Sequence, residues 1–234
     1  MISSELAIVI PVYNESANIV ALLQEWREVL DPLDIDYRIL AFNDGSRDDT
    51  GRILDEATNT LDRLEVVHKP NTGHGRTCRF GYDRAVSLGF AWILQIDSDG
   101  QCDPAYFKEI WNKRVSADCV FGLRVTRDDG WRRALISRLL RFSTFILTGR
   151  DLRDANVPYR LMRADVLQRA LKRVPANFDI QNVALTLALK RERFVTWSYV
   201  PIRFRDRQGG TNSINVAKIL KMGWDMLASL HRVS

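Results

Sequence analysis

Soft metal ligands are scarce in this chain of 234 residues, which holds three cysteines and three histidines. Cys78, Cys102 and Cys119 are odd in number and show no ligand spacing, and His68, His74 and His231 are not paired either. A Cys–His zinc site is therefore unsupported, and free thiols in a reducing cytoplasm are expected rather than a disulfide framework. Long apolar runs are missing too: nothing approaches the roughly 20 residues that a membrane-spanning helix needs. The apolar start, LAIVIPVY, is short and has no basic lead-in, so no secretory leader is expected. NTGHGRT is no P-loop, because no Lys-Ser/Thr pair follows its glycines. It reads as a loop that lets backbone approach a ligand, with His74 as a turn residue. Repeats, low-complexity tracts, linkers and recognised RNA or DNA modules are absent as well. A single domain over 1–234 is expected, and no nucleic-acid partner, although the net charge of +5 suits polyanions.

What the chain does have is a globular composition, 46% hydrophobic and 27% charged, at a length that can bury a core without covalent staples. The first half alternates two kinds of segment. Leu6–Val12, Tyr37–Phe42, Leu64–His68 and Ala91–Asp97 are short, apolar and rich in β-branched or aromatic residues, and read as buried strands. Glu15–Leu30, Asp48–Leu61 and Gly75–Leu88 read as helices. In the first, Ile19, Leu22, Leu23, Trp26 and Leu30 fall on one face; in the second, Asp48 and Asp49 favour the positive end of the helix dipole. Such alternation predicts an α/β fold with a mostly parallel sheet, whose ligands bind outside the carboxyl ends of the strands. Tyr13-Asn14-Glu15, Asn43-Asp44-Gly45-Ser46 and Asp97-Ser98-Asp99-Gly100-Gln101 each begin at such an end, so the three loops are expected to share one crevice.

Asp97 and Asp99 stand two apart at a strand end, and the Gln101 carbonyl can add a third oxygen. Hard oxygen ligands in small number suit Mg²⁺ or Mn²⁺, with phosphate and water completing the shell. The alternative is that both aspartates are turn and N-cap residues ahead of a helix starting near Pro104.

Beyond Arg124 the pattern changes. Trp131–Leu147 is apolar with Arg132, Arg133, Arg138 and Arg141 interspersed, as in a helix lying on an anionic membrane surface, although a buried helix with solvated arginines has the same look. Asn156–Met162 and Phe194–Phe204 read as strands, the latter interrupted by Pro201, and Asp179–Lys190 as a helix. Val216–Leu230 reads as a terminal amphipathic helix for packing or self-association.

Taken in order, PVYNES, NDGSRDDT, NTGHGRT and DSDGQCDP resemble the family 2 inverting glycosyltransferases of the GT-A fold, and most of all the branch of dolichyl-phosphate mannose synthases and polyprenyl-phosphate glycosyltransferases. The likeness runs from Ile8 to about Asn215. It implies a nucleotide-sugar-binding half over about 1–125 and an acceptor- and membrane-facing half over about 126–234. Pro11, Tyr13 and Glu15 would line the base and ribose pocket, completed by Phe42 and by Asp44 accepting from a base N–H. Asp97, Ser98, Asp99 and Gln101 would meet the donor diphosphate and its metal, and Arg124 would lie near the donor. RDRQGGTNSI resembles the family's Arg–x–x–Gly–x–Ser loop, so Arg207, assisted by Arg205, would clamp phosphate, Gly209 and Gly210 would let the loop fold close, and Ser213 would join the donor contacts. Two segments depart from the family pattern: Asn156-Val157-Pro158-Tyr159-Arg160 replaces Thr/Ser-Gly-Phe-Arg, and Ser213 stands where mannose synthases carry lysine.

The implied reaction moves a sugar from a GDP- or UDP-linked donor to a polyprenyl phosphate. The enzyme would be peripheral at the cytoplasmic membrane face, alone, self-associated or beside a membrane subunit. A phosphate acceptor is already ionised and needs no base, whereas a sugar hydroxyl does. Asp179 is the sole carboxylate in the candidate acceptor segment and would be that base in the alternative, transfer to a hydroxyl of a polysaccharide or glycolipid; it also suits a helix N-cap. A non-catalytic nucleotide- or nucleic-acid-binding protein is the reading that the basic charge alone would allow.

Overall fold

Leu6–Val12 is buried along its whole length and forms β1, in the interior of a seven-stranded sheet. The computed structural model describes residues 5–125, 154–175 and 181–205. Trp131–Leu147, Asp179, Arg207, Gly209, Gly210, Ser213 and Val216–Leu230 therefore lie outside the described residues. The chain continues through α1 (Ile19–Leu30), β2 (Tyr37–Asp44), α2 (Thr50–Thr58), β3 (Leu64–Lys69), α3 (His74–Ser87) and β4 (Trp92–Gln95). After a single 3-10 turn at Pro104–Tyr106 come α4 (Phe107–Lys113) and β5 (Cys119–Arg124). The last described elements are β6 (Arg160–Arg163), α5 (Ala164–Leu171), α6 (Gln181–Arg191) and β7 (Trp197–Ile202).

The strand order is β3-β2-β1-β4-β6-β5-β7, and every strand except β6 runs the same way. The mostly parallel α/β sheet expected from the sequence is thus the one observed. All carboxyl ends but that of β6 lie at one end of the sheet. Helices flank it in two packed groups, α3 with α5 and α6, and α1 with α2 and the 3-10 turn. Residues such as Ile8, Leu40, Leu94 and Phe121 are fully buried, each worth about 1.5–3 kcal/mol relative to exposure. Gly81 brings α3 onto the sheet: a Cβ there would lie 2.5 Å from Val9 Cγ1 and 2.9 Å from the Phe42 ring.

Several boundaries differ from the sequence reading for local reasons. Helix α1 starts at Ile19 rather than Glu15, because Asn14 takes a left-handed φ of 54° and the Glu15 carbonyl accepts from the Asn18 and Ile19 N–H groups in a turn. Strand β7 starts at Trp197 rather than Phe194, whose φ of 64° breaks the extension. Pro201 is tolerated inside β7 because that strand is at the sheet edge, where one N–H is not needed for pairing. The segment expected as Asn156–Met162 pairs only from Arg160, after Pro158.

Candidate functional site

The carboxyl ends of β1, β2 and β4 open on one cleft of about 370 Å³, within the ~300–1,000 Å³ usual for small-molecule sites. Of the residues expected from the sequence, Pro11, Tyr13, Glu15, Asp44, Asp97, Ser98 and Asp99 line it. Hydrogen bonds staple the β1 and β2 loops together. The Asn14 N–H donates to Ser46 Oγ at 3.0 Å, the Arg47 N–H to Asn14 Oδ1 at 2.8 Å, and the Glu15 N–H to Thr50 Oγ1 at 2.8 Å. Asp48 secures the same junction, accepting from the Thr50 N–H at 3.1 Å and the Ser16 N–H at 3.2 Å. Burial alone would push its carboxyl up, but hydrogen bonds from Thr50 and Ser16 outweigh this and hold it down at about 2.

Asp44 forms the floor of the cleft at 3% exposure, and its carboxylate is heavily engaged. Oδ1 accepts from the Lys69 ammonium and from the Thr72 N–H at 2.8 Å, and Oδ2 accepts from the Gly73 N–H at 2.9 Å. Burial opposes its charge, but the bonds from Lys69 and Thr72 outweigh that and hold the carboxyl below the usual aspartate range. Lys69 also donates to Thr72 Oγ1 at 2.6 Å and Thr77 Oγ1 at 3.1 Å. One buried ion pair thereby shapes the loop that leads into α3. Gly73, the residue before that helix, has φ of 89°, a conformation that side chains resist.

The β4 end carries the acidic pair. Asp97 Oδ1 accepts from Gln95 Nε2 at 3.0 Å and from His74 Nε2 at 2.9 Å, while Asp99 Oδ1 accepts from the Gln101 N–H at 3.2 Å. The helix cap is elsewhere: Asp103, not Asp97 or Asp99, accepts from the Ala105 N–H at 2.9 Å. Among the described residues no cluster of three His, Cys, Asp or Glu side chains could hold a metal ion by itself. Two carboxylates at the rim of a cleft do fit a hard divalent cation that takes its remaining oxygens from a phosphorylated ligand and water. His74 proves to be more than a turn residue, since it starts α3, lines the cleft and bonds to Asp97.

Other expected residues are placed differently. Phe42 is fully buried under α3, edge-on to Phe80 at 5.7 Å between centroids, and does not reach the cleft wall, because Gly81 lets the helix cover it. The Gln101 amide donates to the Arg205 carbonyl at 3.4 Å, and the Arg205 N–H returns a bond to the Gln101 carbonyl at 3.2 Å. Arg205 spends its guanidinium on Glu25 at 2.6 Å and Asp103 at 2.7 Å. Arg124 Nε donates to Asp154 at 2.7 Å, at the end of β5. In the segment that departs from the family pattern, Arg160 is wholly buried. It donates to the carbonyls of Val157 at 2.9 Å, Ala155 at 3.1 Å and Asn182 at 3.2 Å.

Residues missed in the sequence are Lys69, Thr77 and Gln95. A signal existed for the last, a primary amide closing an otherwise apolar strand directly before the acidic pair.

The family model described as glycosyl transferase family 2 matches residues 7–171, more than half of the chain. The chain belongs to glycosyl transferase family 2. Among curated relatives of this family 2 enzyme, the polyprenol monophosphomannose synthase of Mycolicibacterium smegmatis is 27% identical, over 91% of this chain and 82% of that one. The undecaprenyl-phosphate 4-deoxy-4-formamido-L-arabinose transferase of Proteus mirabilis is 23% identical, over 97% and 68%. A crystal structure of glucosyl-3-phosphoglycerate synthase from Mycobacterium tuberculosis, with Mn²⁺, uridine diphosphate and phosphoglyceric acid, superposes with a TM-score of 0.71 at 17% identity. It covers 99% of this chain and 79% of that one and shares its fold, the GT-A glycosyltransferase fold.

Proposed function

We propose that this family 2 enzyme is an inverting transferase that moves a sugar from a GDP- or UDP-linked donor to a polyprenyl phosphate. The observation that carries the reading is the convergence of the β1, β2 and β4 loops on one cleft that holds Asp97 and Asp99. The relatives that match most of the chain are named for lipid-phosphate sugar transfer, which supports the acceptor class.

In this reading the donor's base and ribose lie against Pro11, Tyr13, Glu15 and Asp44. The loop bonds already made by Asn14, Asp48 and Lys69 hold those groups in place before the donor arrives. Mg²⁺ or Mn²⁺, held by Asp97 and Asp99, would act as a Lewis acid that stabilises the charge on the departing diphosphate. His74 and Gln95 fix the Asp97 carboxylate by two bonds to the same oxygen, Oδ1, so that its orientation is settled in advance. The acceptor phosphate attacks as an anion and asks no base of the protein. Arg205, tied to Glu25 and Asp103, is a strut for the acidic loop. Arg207 and Ser213, later in the sequence, would contact phosphate. Among the described residues no helix is long and apolar enough to cross a membrane. Peripheral attachment at the cytoplasmic face through Trp131–Leu147, alone or beside a membrane subunit, belongs to the same proposal.

The test is a panel of UDP- and GDP-sugars with polyprenyl phosphate and Mn²⁺, assayed for lipid-linked product with wild type and Asp99→Ala. One donor should give product, and the variant should lose at least about a hundredfold in rate, the scale of removing a transition-state charge stabiliser. Turnover of a donor onto a sugar hydroxyl, with none onto lipid phosphate, would refute the acceptor assignment and leave the transferase standing.

A further inference from the structure

Gln95 is fully buried at the end of an apolar strand, where a primary amide is costly unless both of its ends are bonded. Both are. Its Nε2 donates to Asp97 Oδ1 at 3.0 Å, and its Oε1 accepts from the Tyr82 hydroxyl at 3.1 Å. Chemistry fixes this orientation. A carboxylate only accepts, so the amide NH₂ must face Asp97, and the carbonyl must then face a donor. Tyr82 is that donor, fully buried on α3, and its one proton is committed to Gln95.

Two further polar groups lie next to Tyr82 and Gln95. Asn182, in the first turn of α6, brings its side-chain oxygen to 3.5 Å from the phenol. The main-chain carbonyl of Asn182 accepts from Arg160, which is the cross-strand partner of Gln95. A dry hydrogen-bonded chain therefore runs from Asp97 through Gln95 to Tyr82 and joins β4 to α3, with Asn182 and Arg160 packed beside it. The amide ends on a residue of the cleft.

We infer that Gln95 and Tyr82 are positioning residues for the transfer reaction: Gln95 aims the Asp97 carboxylate into the cleft, and Tyr82 aims Gln95. This rests on the metal-assisted reading given above. Neither side chain lines the cleft, so each acts through Asp97 alone. Groups that orient a metal ligand from behind typically change metal affinity by about 10–100-fold when removed.

The test uses the full chain with Gln95→Met, Tyr82→Phe and the double variant. Mn²⁺ binding in the presence of UDP or GDP is followed by calorimetry, beside thermal melting and steady-state kinetics. Gln95→Met should weaken Mn²⁺ binding about tenfold, and Tyr82→Phe by about threefold, with kcat largely restored at saturating Mn²⁺. The double variant should bind no worse than Gln95→Met, because Tyr82 works through the amide. Lower melting temperatures with unchanged Mn²⁺ affinity would make both residues simply structural and overturn the inference, as would additive losses in the double variant. If Gln95→Met fails to fold, Tyr82→Phe still decides between affinity and stability. A wild type that binds no Mn²⁺ with either nucleotide would sink the metal-assisted reading itself, and this inference with it.

Discussion

Lys69 and Asp44 occupy matched positions at the ends of β3 and β2, and the Lys69 ammonium donates to Asp44 Oδ1 in a nearly dry contact, their side chains 12% and 4% exposed. The pair does structural work that a surface ion pair would not, because Lys69 also holds Thr72 and Thr77. Lys69→Met leaves a carboxylate buried without its partner and should cost about 3 kcal/mol. That corresponds to a fall in Tm of roughly 6–12 °C for a domain of this size. Scanning calorimetry checks it, and Asp44→Asn in the Lys69→Met background should recover part of the loss.

Arg160 gives a second prediction. Its fork satisfies carbonyls on two sides, so Arg160→Met should strand several buried acceptors and cost about 3 kcal/mol or more. Arg160→Lys should be nearly as damaging, since a single ammonium cannot span the same carbonyls. Denaturant midpoints of both variants against wild type would show whether charge or shape matters.

Gly81→Ala should destabilise by about 1–3 kcal/mol, because the new methyl meets Val9 and Phe42 at closer than van der Waals distance. The measurement is urea unfolding, and a neutral result would mean that α3 can lift from the sheet without penalty.

The pH dependence of stability follows from Asp48. Its folded carboxyl sits at about 2, below the roughly 3.9 of an unfolded aspartate. A depressed value stabilises the fold above the unfolded pKa, and that contribution is lost as pH falls from about 4 towards 2. Asp48→Asn should therefore lower Tm at pH 7, and the gap to wild type should narrow as the pH is taken from 5 to 3. A gap independent of pH would show that the ring of bonds to Thr50 and Ser16 does not depend on the charge.

The sequence made the first half of the chain largely legible because its strands are short, apolar runs closed by polar loops, and because buried parallel strands leave that trace directly. The convergence of three loops followed from topology alone. Strand β5 and helix α5 carried weaker signals: CVFGLR is six residues and ADVLQRAL eight, too short for periodicity to decide. The reversed direction of β6 leaves no mark in composition at all. Nothing in the sequence marks Lys69, because its partner is set by register with β2, 25 residues earlier in the chain. The carboxylates that Arg124 and Arg205 meet, Asp154, Glu25 and Asp103, leave no mark in the sequence, because side-chain pairing across distant segments is set by the fold.

The Arg124–Asp154 clamp has a consequence for the cost of connecting β5 to β6. Arg124 bonds to Asp154 with both its N–H, at 3.2 Å, and its guanidinium, so the chain leaving β5 and the chain approaching β6 are fastened side by side. Whatever lies between them, residues 126–153, starts and finishes at one anchored doorway at the same end of the sheet as the cleft. Connecting two ends that are already joined costs little more for a longer stretch than for a shorter one, since closure entropy grows only with the logarithm of length. Ordering the sheet therefore depends little on how many residues separate β5 from β6.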